Sequence, residues 1–165
     1  MFQKVLAAVD SVSYRRIFDE ALQVAKANRA GLILLHVLSP EEEASPGFYG
    51  ITTLDHYPAL YDELMERYKE AWSAFERQGE ELLGSLVKEA IAQGVAAEFT
   101  QNAGSPGRTI CEVAAAVNAD LIVMGRRGIS GLAEFFLGSA SNYVLHNAPC
   151  SLMVVQEKKA KSPAG

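Results

Sequence analysis

Three groups of residues have the types and spacing to hold a small anionic ligand, and each falls where an apolar run ends. Gly125-Arg126-Arg127-Gly128-Ile129-Ser130-Gly131 follows the run Leu121 to Met124. Glycines there let backbone N–H groups approach an anion with no Cβ in the way. Ten residues beyond Gly128, Gly138-Ser139 precedes Ala140, Ser141, Tyr143, Val144 and Leu145, which read as the start of a helix. The free N–H groups and positive dipole end of that helix, with the hydroxyls of Ser139 and Ser141, make a seat for phosphate. Asp10 ends the run Val5 to Val9 and brings a carboxylate that accepts hydrogen bonds from ribose hydroxyls or an amino group. Each group also has a plainer reading: an ordinary glycine turn, a serine N-cap, an aspartate N-cap for the next helix. Two glycine loops converging after one strand, with Asp10 on a nearby strand, favour the anion site.

The spacing excludes familiar alternatives. No Gly-x-x-x-x-Gly-Lys-Ser/Thr occurs, so no P-loop lysine reaches a terminal phosphate. The glycines follow the fourth apolar run rather than the first, and the second run ends in His36-Val37-Leu38 with no acid placed for a ribose, which disfavours a dinucleotide Rossmann site. His36, His56 and His146 are scattered without metal-ligand spacing or a nucleophile-base pairing and read as structural. No residue reads as an activated general base. The Ser-Gly-Gly turn or His-x-Gly-His run of nucleotidyl-transfer enzymes is absent. Efficient catalysis is not expected.

The elements that must position these residues follow from hydrophobic periodicity. Val5 to Val9 and Leu32 to Leu38 are continuous apolar runs, expected as strands buried on two faces. Between them Ile17, Ala21, Val24 and Ala25 recur at helical spacing, with Ser11 or Ser13 as N-cap and Gly31 as the stop. Leu60 to Ile91 carries a helical stripe through Leu64, Tyr68, Trp72, Phe75, Leu82, Leu86 and Ala90, as one long helix or two broken near Gly79. The acids Asp62, Glu63, Glu66, Glu70, Glu80 and Glu81 form its solvated face. Ala97, Phe99 and Gln101 alternate as a third strand. Ser105-Pro106 opens a helix with Ile110, Val113, Ala114 and Val117 inward, and Asn118 closes it. Leu121 to Met124 is the fourth strand. Pro149 stops the last helix before the fifth, Leu152 to Gln156. Five apolar strands alternating with helices call for a doubly wound α/β fold, a parallel sheet with helices on both faces.

One domain over residues 1–157 is expected, with a mobile loop at 41–58 and a disordered tail at 158–165. Phe48, Tyr49 and Tyr57 in that loop either close over a bound base or only anchor the loop. The chain has 165 residues, 49% hydrophobic and 21% charged, with a formal net charge of -5, a balance that argues against tracking a nucleic-acid backbone. Its two cysteines, Cys111 and Cys150, indicate neither a disulfide framework nor a metal cluster. No apolar stretch has the length to span a bilayer, the first strand is not a signal peptide, and a cytoplasmic protein is expected.

Taken together, Gly125-x-x-Gly128, nine residues and Gly138-Ser139 resemble the signature of the ATP-binding branch of the universal stress proteins. The similarity extends through Val5 to Asp10, Leu34 to Val37, Gly104-Ser105-Pro106, Ala119 to Gly125 and Asn147-Ala148-Pro149-Cys150. The resemblance implies a Rossmann-like fold of the adenine nucleotide alpha hydrolase type. It also implies ATP or another adenine nucleotide, with Mg2+ carried by the phosphates rather than by the protein. Asp10 would contact the ribose or adenine side and the backbone at Val37 the adenine edge. Met124 and Gly125 would line the sugar, and Gly128, Gly138, Ser139 and Ser141 would hold the phosphates, with Ala8, Val9, Arg127 and Ala140 completing the contact set. Ser11 stands where the family usually has glycine. Arg126 and Arg127 either strengthen nucleotide binding or stand solvated. The function implied is a nucleotide-regulated stress-response or signalling module with an unidentified protein partner, dimerising through the 152–156 edge strand. The alternatives are an interaction module with an empty pocket, or a slow ATPase or nucleotidyl-transfer enzyme.

Overall fold

The structure is a computed structural model that describes residues 1–47, 58–126 and 138–156. Its elements alternate along the chain: β1 (Lys4–Val9), α1 (Tyr14–Asn28), β2 (Gly31–Leu38), α2 (Pro58–Ala92), β3 (Ala97–Ala103), α3 (Pro106–Ala116), β4 (Leu121–Gly125), α4 (Ser139–Asn147) and β5 (Ser151–Val155). The strands form one sheet in the order β3-β2-β1-β4-β5, every pairing parallel. This is the doubly wound α/β fold expected from the apolar runs, and its winding reverses at β1.

Both faces of the central strands are buried, which is why they read as unbroken apolar runs. Successive side chains of a strand point to opposite faces. Val5, Ala7 and Val9 pack with Ile17, Phe18, Ala21 and Leu22 of α1 and with Leu83, Leu86 and Ala90 of α2. Leu6 and Ala8 pack on the other face with Ile33, Leu35 and Val37 of β2, Ile110 and Ala114 of α3 and Val144 of α4. Each fully buried Leu, Ile or Phe contributes about 1.5–3 kcal/mol, so the two layers fix the sheet that carries the strand ends.

Several boundaries depart from expectation. Ser13, one of the two serines expected there, is the N-cap of α1, but its side chain makes no capping hydrogen bond. Gly31 does not stop the helix, because Arg29 takes the left-handed conformation (φ 57°) and Ala30 N–H bonds back to Ala25 O. Gly31 is already the first residue of β2. The fifth strand starts one residue earlier than expected, since Ser151 pairs with Leu121 and Val155 with Gly125. Of the stretch read as a mobile loop, residues 41–47 form turns closed by Glu42 N–H to Ser39 O and Ser45 N–H to Glu42 O; Phe48, Tyr49, His56 and Tyr57 lie outside the described residues. No described helix is long and apolar enough to cross a membrane.

α2 is one helix of 35 residues with no break at Gly79. Its buried residues, Phe75, Gly79, Leu83, Leu86 and Ala90, all lie in the C-terminal part that packs on the sheet. Gly79 serves close packing instead of a kink: a Cβ there would sit 2.1 Å from Gln101 Oε1 and 2.8 Å from His36 Nδ1. Gly84, on the same helix, meets only Phe99 Cε1 at 3.9 Å. Gly79→Ala is therefore expected to destabilise the protein by about 1–3 kcal/mol through overpacking. Gly84→Ala is expected to stabilise it by about 0.5–1 kcal/mol through helix propensity. Urea unfolding of the two variants checks the opposite signs.

Candidate functional site

Strand register opens a notch at the carboxyl end of the sheet. β1 makes its last pairing with β2 at Val9–His36 and its last with β4 at Ala8–Met124. β2 continues through Val37 and Leu38, paired only with Asn102 and Ala103 of β3, and β4 continues to Gly125, paired only with Val155 of β5. β2 and β4 thus run past the last paired residues of β1, and the space above Val9 between Val37 and Gly125 holds no strand among the described residues. This is the switch point of the sheet, where open α/β folds take their ligands. Ala8, Val37 and Met124 are buried on the α3/α4 side of this notch, and Val9 is buried on the α1/α2 side.

Asp10 stands at the mouth. Its Oδ1 accepts from Val12 N–H at 2.9 Å and from Ser13 N–H, so the carboxylate shapes the turn into α1, which is the plainer role considered for it. Its Oδ2 lies 3.8 Å from where a Cβ on Gly125 would be, and Ile17 Cδ1 lies 3.2 Å from the same point. A side chain at residue 125 would thus press on Ile17 and only touch Asp10.

The opposite wall is the N-terminus of α4. Gly138 is its N-cap, with no side-chain cap, and Gly138 N–H donates to Arg126 O at 3.3 Å. The two glycine segments named from the sequence meet at this bond. Asn142 N–H bonds to Gly138 O, leaving the N–H groups of Ser139, Ala140 and Ser141 without an intrahelical partner. Ser139 is exposed, Ala140 half-buried. Ser141 is only 1% exposed, and its hydroxyl donates to Gly125 O at 3.3 Å and to Arg126 O at 3.5 Å. It pins the first turn of α4 to the exit of β4. The expected contacts Arg127 and Gly128 lie outside the described residues.

His36, Glu42 and Gln101 form a polar network that the sequence reading did not assemble. His36 is 4% exposed; its Nδ1 lies 2.7 Å from Gln101 Oε1 and its Nε2 lies 2.9 Å from Glu42 Oε2. Glu42 Oε1 accepts from Ser11 N–H at 2.8 Å. Burial disfavours the imidazolium, but the hydrogen bonds to Glu42 and Gln101 and the charges of Glu42 and Asp10 outweigh it and raise the His36 pKa. Burial likewise disfavours the Glu42 carboxylate, and the bonds from His36 and Ser11 outweigh it and lower its pKa. The sign follows for each group. The raised histidine stabilises the fold fully below its ordinary 6.5 and loses this as pH rises through its folded value. The lowered carboxylate stabilises it above its ordinary 4.5 and loses this as pH falls through its folded value. The available signal was a lone histidine within an apolar strand, which needs a buried partner.

Fold and notch define a doubly wound α/β protein with a candidate ligand site at the switch point. A sequence model of the Universal stress protein family matches residues 1–156, and the chain belongs to that family. Universal stress protein Sll1388 of Synechocystis is 34% identical over 159 residues, covering 94% of this chain and 98% of its own length. Universal stress protein YxiE of Bacillus subtilis is 32% identical over 157 residues, covering 94% and 100%. Among solved structures, a universal stress protein in complex with cAMP superposes with a TM-score of 0.61 at 28% identity, over 93% of this chain and 97% of that one. An Arabidopsis thaliana family protein with AMP bound shares the fold with a TM-score of 0.61 at 22% identity, over 98% and 97%.

Proposed function

We propose that the chain binds an adenine nucleotide in the notch, ATP with Mg2+ foremost, and acts as a nucleotide-regulated stress-response or signalling module in the cytoplasm. The observation that carries this reading is the row of N–H groups at Ser139, Ala140 and Ser141 that have no partner within α4, set beside the end of β4. Those donors and the dipole of α4 suit phosphate. In this reading the backbone of Val37 meets the adenine, Asp10 faces the ribose, and Ala8, Val9, Met124 and Gly125 form the floor. Arg127, Gly128 and Gly138 belong to the phosphate side. The relative solved with cAMP and the Arabidopsis protein solved with AMP support an adenine nucleotide as the ligand class. Mg2+ would be carried by the phosphates; among the described residues no group of three or more His, Cys, Asp or Glu is arranged to hold a metal. No described group near the α4 donors is placed as a general base, so hydrolysis is at most slow.

Proline is tolerated at the first position of a helix but brings no N–H. Ser139→Pro should therefore keep α4 and weaken ATP binding about tenfold or more, since a hydrogen bond to a charged group contributes about 1.5–3 kcal/mol. Ser139→Ala, which keeps the N–H, should bind within a few-fold of wild type. Calorimetric titration with ATP and Mg2+ reads both; equal affinity in all three proteins, or no binding by the wild type, would sink the nucleotide reading.

The chain is further proposed to pair with a second copy through β5, whose outer edge carries no strand among the described residues. An unpaired edge of half-buried Leu152, Met153 and Val154 invites another chain. Sedimentation equilibrium should give a dimer mass at micromolar concentration, and a monomer mass independent of concentration would remove this proposal.

A further inference from the structure

The nucleotide reading makes no use of the buried network under α2, yet that network grips the loop carrying Asp10. Gln101 Nε2 donates to Glu76 O at 2.9 Å, which fixes the amide orientation and leaves Oε1, an acceptor, facing His36 Nδ1. The ionised carboxylate of Glu42 faces the other ring nitrogen, and it too can only accept. Two acceptors aimed at two ring nitrogens are both satisfied only when each nitrogen carries a proton. A neutral imidazole would turn a lone pair toward a carbonyl or carboxylate oxygen in a site almost closed to water, a costly arrangement.

Among the described residues the surroundings leave few other charges to consider. Glu42, from the connection after β2, and Asp10, from the end of β1, are the charged groups that face His36. β3 offers Gln101, while α2 offers the ring of Phe75, edge-on at 5.8 Å, and Gly79, neither of them ionisable. A cavity of about 190 Å³ lined by Asp10, Ser11, His36, Gln78 and Phe75 adjoins the ring and gives a proton a route in and out.

Glu42 has two tasks. One oxygen holds His36, and the other holds the N–H of Ser11, the residue after Asp10. The turn from Asp10 to Ser13 is thus fastened from within by Asp10 and from outside by Glu42. We propose that the His36–Glu42 pair is a proton-operated latch on this turn, closed when His36 is protonated, so that ligand affinity in the notch falls as the histidine is deprotonated. The regulation of binding rests on the nucleotide reading of the notch; the latch itself does not. Burial opposes the charged ring, but its bonds and neighbouring charges hold its pKa above 6.5, so release falls on the alkaline side of that value.

The test has two arms. In nucleotide-free protein, NMR titration should show the Ser11 amide shifting with the same midpoint as the His36 ring, above 6.5. In Glu42→Gln the Ser11 amide should no longer follow the ring. In the second arm, ATP affinity is measured at about pH 6 and about pH 9, on either side of histidine titration. Wild type should lose about fivefold or more, the low end of ordinary coupling between sites. Glu42→Gln and His36→Gln should show only the dependence that the ligand's own phosphates impose on every variant. A Ser11 amide indifferent to the His36 titration overturns the latch. Affinity with the same pH dependence in all three proteins overturns its coupling to the notch. A Ser11 amide that follows His36, with no ATP bound at either pH, upholds the latch and removes the nucleotide reading instead.

Discussion

The early end of β1 is the constraint on which the site depends. β1 stops pairing at Val9, while β2 runs on to Leu38 and β4 to Gly125. A central strand that stops before both neighbours leaves a gap between their ends, about one strand spacing on each side of the missing strand. Because the winding reverses at β1, no crossover helix has to pass over that gap. Asp10 turns the chain away at its mouth, and α4 presents its positive end beside the exit of β4. A side chain on Gly125 would press on Ile17 Cδ1 at 3.2 Å and reach ordinary contact with Asp10 Oδ2 at 3.8 Å, so the floor of the notch is lined closely at this position.

Much of this was legible from residue types. Strands buried on two faces must be apolar throughout, so β1, β2 and β4 announced themselves as runs, and their alternation with helical periodicity implied a parallel sheet. Gly138-Ser139 ahead of a helix marked the α4 terminus, though the cap proved to be the glycine, with Ser141 turned back onto Gly125 O and Arg126 O. Other features depended on tertiary neighbours. Gly79 looks like a breaker in isolation, yet α2 runs through it because only a glycine lets the helix approach Gln101 and His36. Arg29 adopts a left-handed cap that favours glycine or asparagine, a choice no propensity for arginine foretells. The link from Glu42 to both His36 and Ser11 crosses a segment whose composition says only that it turns.

The His36–Glu42 pair is a poor device for stability alone. Desolvating two charges offsets most of their attraction, and apolar residues of similar volume often serve as well or better. Its geometry supplies specificity instead. One carboxylate joins the imidazole of β2 to the turn after β1, and one amide, Gln101 of β3, joins the same imidazole to the backbone of α2. The network therefore ties the end of the sheet, the helix above it and the turn at the notch into one unit.

The most direct measurement of the notch as a nucleotide site is an amide chemical-shift map of the protein titrated with ATP and Mg2+. Phosphate held by α4 and adenine held by β2 should move the amides of Ser139, Ala140 and Ser141 together with those around Val37, at one common saturation point. Shifts that spare both groups, or that gather on the α2 side around Gln78 and Leu82, would contradict binding at the switch point.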